Sequence, residues 1–137
     1  MLACAKLKNT LNSVTCLMPS VSIRGQQPLP KQSFRYTKGG GYTDANVRAW
    51  QECVAWQAKA LCSEPGDGIY EVELVFYRYQ KHRVDLDNLS KAVLDAMNGV
   101  VWVDDAQVHK LTIEKYYVDS IEDAGVDITV RVDPQEG

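Results

Sequence analysis

Ile69-Tyr70-Glu71-Val72-Glu73-Leu74-Val75-Phe76-Tyr77-Arg78-Tyr79, followed after a short connector by Asp85-Leu86-Asp87-Asn88-Leu89-Ser90-Lys91, is a strand that feeds a helix. In the first run Tyr70, Val72, Leu74 and Phe76 fall on one face and Glu71 and Glu73 on the other. Strict alternation of this kind is the mark of a half-buried strand. The connector Gln80-Lys81-His82-Arg83 is basic. From Asp87 the period changes: Leu89, Val93 and Met97 lie three to four residues apart, which predicts a helix over residues 87–98 stopped by Gly99.

The pattern extends outward in both directions. Thr43 or Asp44 can cap an earlier helix reaching to about Cys62, with Val47, Trp50, Val54, Ala58 and Leu61 on one stripe and Trp56 off it. Glu64-Pro65-Gly66-Asp67-Gly68 then breaks the chain. Val21-Ser-Ile23-Arg24 is a candidate first strand, and Val100-Val101-Trp102 a short one. Residues 107–117 alternate through Leu111 and Ile113, and residues 124–132 through Val126, Ile128, Val130 and Val132. The short polar link Val118-Asp-Ser-Ile-Glu-Asp123 between these last two predicts an antiparallel hairpin. The expectation is one α+β domain, a mixed sheet with two main helices packed on it. It spans residues 19–133, behind a poorly ordered extension (1–18) and ahead of a short tail (134–137).

With 45% hydrophobic and 24% charged residues in 137, the chain has the composition of an ordinary globular domain. Lys6 and Lys8 interrupt any secretory h-region, and no apolar run is long enough to span a bilayer, so a cytoplasmic protein with no membrane partner is expected. Four cysteines form no C-x-x-C pair, and with two histidines a zinc site is disfavoured. The net charge of −3 conceals an asymmetry: residues 1–60 carry eight Lys/Arg against two Asp/Glu, residues 61–137 seven against sixteen. A basic half beside an acidic half fits a phosphate-holding surface next to a metal-holding site. Within the basic half, residues 26–42 combine Pro28, Pro30, Lys31, Arg35, Lys38, a run of three glycines and two tyrosines. Such a loop suits backbone contacts to phosphates and stacking on bases or sugars.

Each acid has a structural reading of its own. Asp87 is a good helix N-cap, Asp85 sits well near the positive end of the dipole, and Asp104-Asp105 would pass for an acidic turn. Lys91, one turn beyond Asp87, would be a solvated helix residue. An EF-hand is excluded, because Leu89, Ser90 and Ala96 occupy positions that need a ligand, a glycine and a glutamate. No Ser/His/Asp or Cys/His set is legible. The conjunction changes the balance: four acids around one short helix repel one another unless a divalent cation or a lysine compensates. Hard oxygen ligands from two segments beside one cation are what a magnesium-dependent phosphodiester hydrolase needs.

The run Asp85-Leu-Asp87-Asn88-Leu-Ser-Lys91-Ala-Val-Leu-Asp95, then Gly99, then Trp102-Val-Asp104-Asp105-Ala-Gln107, closely resembles the RusA family of Holliday-junction resolvases. Pro28-Leu-Pro30-Lys31, Arg35 and Tyr42-Thr43 are similar to that family's N-terminal loop, and the likeness covers roughly residues 19–132. The resemblance implies a homodimeric, Mg²⁺-dependent endodeoxyribonuclease, with Mn²⁺ a possible substitute, that resolves four-way DNA junctions by paired nicking in recombination and repair. It implies catalytic roles for Asp85, Asp87, Asp105 and Lys91, the three carboxylates holding the metal and Lys91 steadying charge on the phosphate. Asp95, Asp104 and Gln107 match further motif positions. Lys31, Arg35, Lys38, Lys81 and Arg83 would grip the DNA backbone. Two alternatives stand beside this reading: a non-catalytic junction-binding protein, and a metal nuclease acting on other branched DNA.

Overall fold

The computed structural model describes residues 18–31, 36–37, 40–41, 45–59, 62, 64–80 and 83–132. Its main sheet has four strands: β1 (Met18–Arg24), β4 (Tyr70–Tyr79), β5 (Val108–Val118) and β6 (Gly125–Val132), in the order β1-β6-β4-β5. A separate two-residue pair, β2 (Tyr36–Thr37) with β3 (Gly40–Gly41), lies in the Pro/Gly-rich loop. Two helices, α1 (Ala45–Lys59) and α2 (Leu86–Met97), complete the predicted α+β domain.

β4 is central, alternating buried and half-buried along all ten residues as its sequence predicts. It pairs antiparallel with β6, Leu74 opposite Ile128, and parallel with β5, Leu74 opposite Ile113. The strand–helix–strand unit β4-α2-β5 supplies the crossover that parallel pairing requires. The expected hairpin of the last two strands is therefore corrected: β4 lies between β5 and β6. The reason is burial. Val126, Ile128 and Val130 are almost wholly enclosed and need neighbours on both sides, whereas β5 is mostly exposed and takes the edge. The link through a 3₁₀ turn, Ile121–Asp123, has only to step across two strand spacings, about 10 Å.

The two helices pack together over one sheet face, where Trp50, Val54 and Ala58 join Leu89, Val93 and Met97 around Val72, Leu74 and Phe76. Gln51 Nε2 donates to Ala92 O at 3.0 Å and ties the helices. The opposite sheet face is polar: Arg24 pairs with Asp127 at 2.9 Å and Arg131 with Glu73 at 3.0 Å. Trp56, off the α1 stripe, is exposed. Leu61 and the expected caps Thr43 and Asp44 lie outside the described residues.

Other boundaries shift modestly. β1 begins at Met18 rather than Val21 and pairs with β6. Val100-Val101-Trp102 is not a strand but a turn. Its Trp102 is buried against Tyr70, with ring centroids 5.7 Å apart, and Trp102 Nε1 donates to Asn98 Oδ1 at 2.8 Å. Gly99, at φ +79°, takes the left-handed position that stops α2, as predicted. Among the described residues no helix is long and apolar enough to cross a membrane.

Candidate active site

The N-terminus of α2 is built from the backbone outward. Asp85, not Asp87, is the N-cap residue, and its side chain makes no capping hydrogen bond. Asp87 stands in the first turn, where the helix dipole favours a negative charge. Both carboxylates are exposed, and so is Lys91 one turn along. The backbone beneath them is held from several sides. Ser90 Oγ donates to Asp87 O at 2.9 Å, Lys31 N to Asn88 O at 2.9 Å, and Lys115 Nζ to Val84 O at 2.7 Å. Among the described residues neither carboxylate has a hydrogen-bond or ion-pair partner, so both can accept a cation without rearrangement of the fold.

Asp105 is presented by a different device. Trp102 anchors the turn in the core, and a 3₁₀ helix, Asp105–Gln107, follows Asp104 as N-cap. Gln107 organises this turn. Its Oε1 accepts from Val103 N at 2.9 Å and Asp104 N at 3.1 Å, and its Nε2 donates to Gly66 O at 3.1 Å and Gly68 O at 2.8 Å. Asp104 is committed to Ala106 N at 3.1 Å. Asp105 is exposed, and no hydrogen bond among the described residues engages its carboxylate. Asp104 and Gln107 thus shape the turn, and Asp105 faces outward.

The two halves lie at opposite ends of α2. Asp85 follows the C-terminal end of β4, and Val84 is tied to Lys115 far along β5; Asp105 precedes Val108, which pairs with Tyr70 at the start of β4. The eleven residues of helix from Asp87 to Met97 alone span about 15 Å. Accordingly, among the described residues, no three His, Cys, Asp or Glu side chains form a metal-holding group. Asp85 and Asp87 supply hard oxygen donors that suit a divalent cation retaining several waters, but Asp105 of the same protomer does not reach them.

Of the basic residues expected at DNA, Lys31 is engaged by an ion pair with Asp95 on α2. Arg83 is exposed beside the acids. Arg35, Lys38 and Lys81 lie outside the described residues. Two residues near the site carried no sequence signal. Lys115 sits on a strand whose pattern pointed only to alternation, yet it fixes the backbone next to Asp85. Arg78 is buried at the end of β4, donates from Nη1 to Pro28 O at 2.6 Å and leaves Nε without a partner. Burial pushes its guanidinium below the ordinary value. Together with Gln27, whose Oε1 accepts from Tyr79 N at 2.9 Å, Arg78 fastens the N-terminal loop to the sheet end that carries Asp85.

The family model for the endodeoxyribonuclease RusA matches residues 26–131. The chain belongs to the RusA endodeoxyribonuclease family. No curated protein matches it. As a member it is a crossover-junction endodeoxyribonuclease, a metal-dependent Holliday-junction resolvase whose substrate is branched DNA. The matched stretch contains both carboxylate segments, the loop bound to Arg78 and all of the crossover unit. In this RusA-family chain Lys31, Asp95, Asp104 and Gln107 make internal contacts, while Asp85, Asp87, Lys91 and Asp105 are turned to solvent.

Proposed function

We propose that this RusA-family nuclease acts as a homodimer on four-way junctions. Each Mg²⁺ site draws Asp85 and Asp87 from one copy and Asp105 from the other. The observation that carries the reading is the separation of the acids: about 15 Å of helix keeps Asp105 from Asp87 within a protomer, and a second copy brings an equivalent Asp105 from outside. Magnesium suits the donors, because it takes one or two carboxylates plus substrate phosphate and keeps waters; Mn²⁺ would be accepted on the same oxygens. When bound, the metal polarises a phosphoryl oxygen and makes a water more acidic. Lys91 steadies negative charge on the phosphate or the departing 3′ oxygen, from a helix that holds it one turn above Asp87. Arg83, with Arg35, Lys38 and Lys81, grips the backbone and makes binding salt-dependent. Two sites related by a two-fold axis nick opposed strands of a two-fold junction.

Subunit mixing tests this. Asp87→Asn and Asp105→Asn proteins should each fail to nick a synthetic four-way junction in Mg²⁺ while still binding it. Co-refolded together, they should recover about a quarter of wild-type nicking, since half the dimers are mixed and one site in each is whole. EDTA should abolish the recovered activity. A mixture that exchanges subunits yet stays inactive sinks the shared site, and undiminished nicking by Asp87→Asn sinks the catalytic assignment.

A further inference from the structure

Along β4 the helix-covered face of the sheet is buried through Phe76 and Arg78. On β5 the same face carries Lys115, the cross-strand neighbour of Phe76, and Tyr117, the neighbour of Arg78. Lys115 is drawn toward the start of α2 by its hydrogen bond to Val84 O. Tyr117 lies one pleat beyond that tie, about 6–7 Å further along the strand. There the ring is 40% exposed, although it stands on the face that elsewhere forms the core.

The surroundings of this ring are cationic. Lys115 Nζ stands 5.6 Å from its centroid. Arg78 is buried alongside with Nε unpartnered, and Arg83 is exposed in the connector that leads to Asp85. The other exposed tyrosine of β5 is already engaged: on the polar sheet face Tyr116 stacks on Tyr77, centroids 6.1 Å apart, and Arg24 lies 4.5 Å over Tyr77. Among the described residues no aromatic ring packs on Tyr117. A flat ring open to solvent amid fixed positive charge suits a nucleotide, since the charge draws its phosphate and the ring can stack on its base.

Resting on the reading of Asp85 and Asp87 as the nicking site, we infer that Tyr117 is a specificity-determining residue that stacks on a base left unstacked at the branch point of the DNA. In a linear duplex each base is covered by its neighbours, and the ring finds no open face. At a branch point the stack is interrupted, and one base face becomes available. Tyr117 therefore favours branched over linear DNA without reading sequence, because every base has a π-face. Lys115 serves the same end from both sides, fixing the backbone beside Asp85 and facing the ring, so that the stacked base and the phosphate to be cut are held in one register.

Two measurements on the full chain test this in EDTA, where no strand is cut. A synthetic four-way junction carrying 5-iodouracil at the branch point should photo-cross-link to Tyr117, and the same base placed mid-arm should not. Tyr117→Leu should weaken junction binding about tenfold, the scale of one lost base stack, and leave linear duplex binding unchanged. Tyr117→Phe and Tyr117→Trp, which keep a ring, should bind as the parent does. Equal losses on junction and duplex, an unchanged junction affinity, or a Phe variant as weak as the Leu variant each overturn the stacking role. If Tyr117→Leu does not fold, the cross-link decides: a branch-point base that reacts elsewhere overturns it. Undiminished nicking by Asp87→Asn in Mg²⁺ removes the catalytic reading separately, since the binding ratio and the cross-link do not depend on cleavage.

Discussion

At the residue scale the proposed chemistry rests on four exposed side chains, Asp85, Asp87, Lys91 and Asp105, and their neighbours explain why they are exposed. Asp85 and Asp87 stand on a helix start that Ser90, Lys31 and Lys115 hold through backbone carbonyls, and among the described residues the carboxylates themselves stay uncommitted. Lys91→Ala should lower single-turnover nicking by about 10²–10³-fold, the scale of one lost charge-stabilising donor, with junction affinity in gel shift changed only a few-fold. A loss chiefly of affinity would make Lys91 a DNA-positioning residue instead. The candidate pattern was legible in the sequence, because Asp-x-Asp before a helix and a lysine one turn on are local features. The partition of roles among the other motif residues was not. Asp95, Asp104 and Gln107 look as chemical as Asp105 in one dimension, and only their contacts show that they bind the fold.

At the scale of elements, the turn between α2 and β5 is held by one amide side chain. Gln107 makes four hydrogen bonds at once, to Val103 N, Asp104 N, Gly66 O and Gly68 O. Gln107→Ala should cost about 2 kcal/mol in urea unfolding. It should also depress nicking further than that loss of stability explains, because Asp105 loses its fixed presentation. Normal nicking by a folded Gln107→Ala would show that the turn's rigidity does not matter. Both helices and the strand pattern of β4 and β6 were readable from periodicity. The pairing of β5 was not: the short polar link favoured a hairpin, and burial of β6 on both sides overrode it.

The whole molecule depends on the close approach of its ends. A Cβ at Gly125 would lie 1.7 Å from Ile23 O, so β1 can cross onto β6 only over a glycine. Gly125→Ala should lower unfolding free energy by about 2–4 kcal/mol, read as a drop in the urea midpoint at unchanged slope. An unchanged midpoint would mean that β1 contributes little to the folded sheet. Local sequence contained nothing to mark this contact, since it joins residues a hundred positions apart.

The amino-acid sequence by itself determined the α+β class, the strand-to-helix unit, the candidate carboxylates and lysine, and the family likeness. Those follow from period, capping and motif spacing, which are properties of neighbours along the chain. Tertiary structure alone decided that β4 separates β5 from β6, that Lys31 binds Asp95, and that Asp105 stands a helix length from Asp87. Such facts depend on which distant segments share a buried face. Short spacing in sequence between Asp87 and Asp105 becomes distance in space because a rigid helix lies between them.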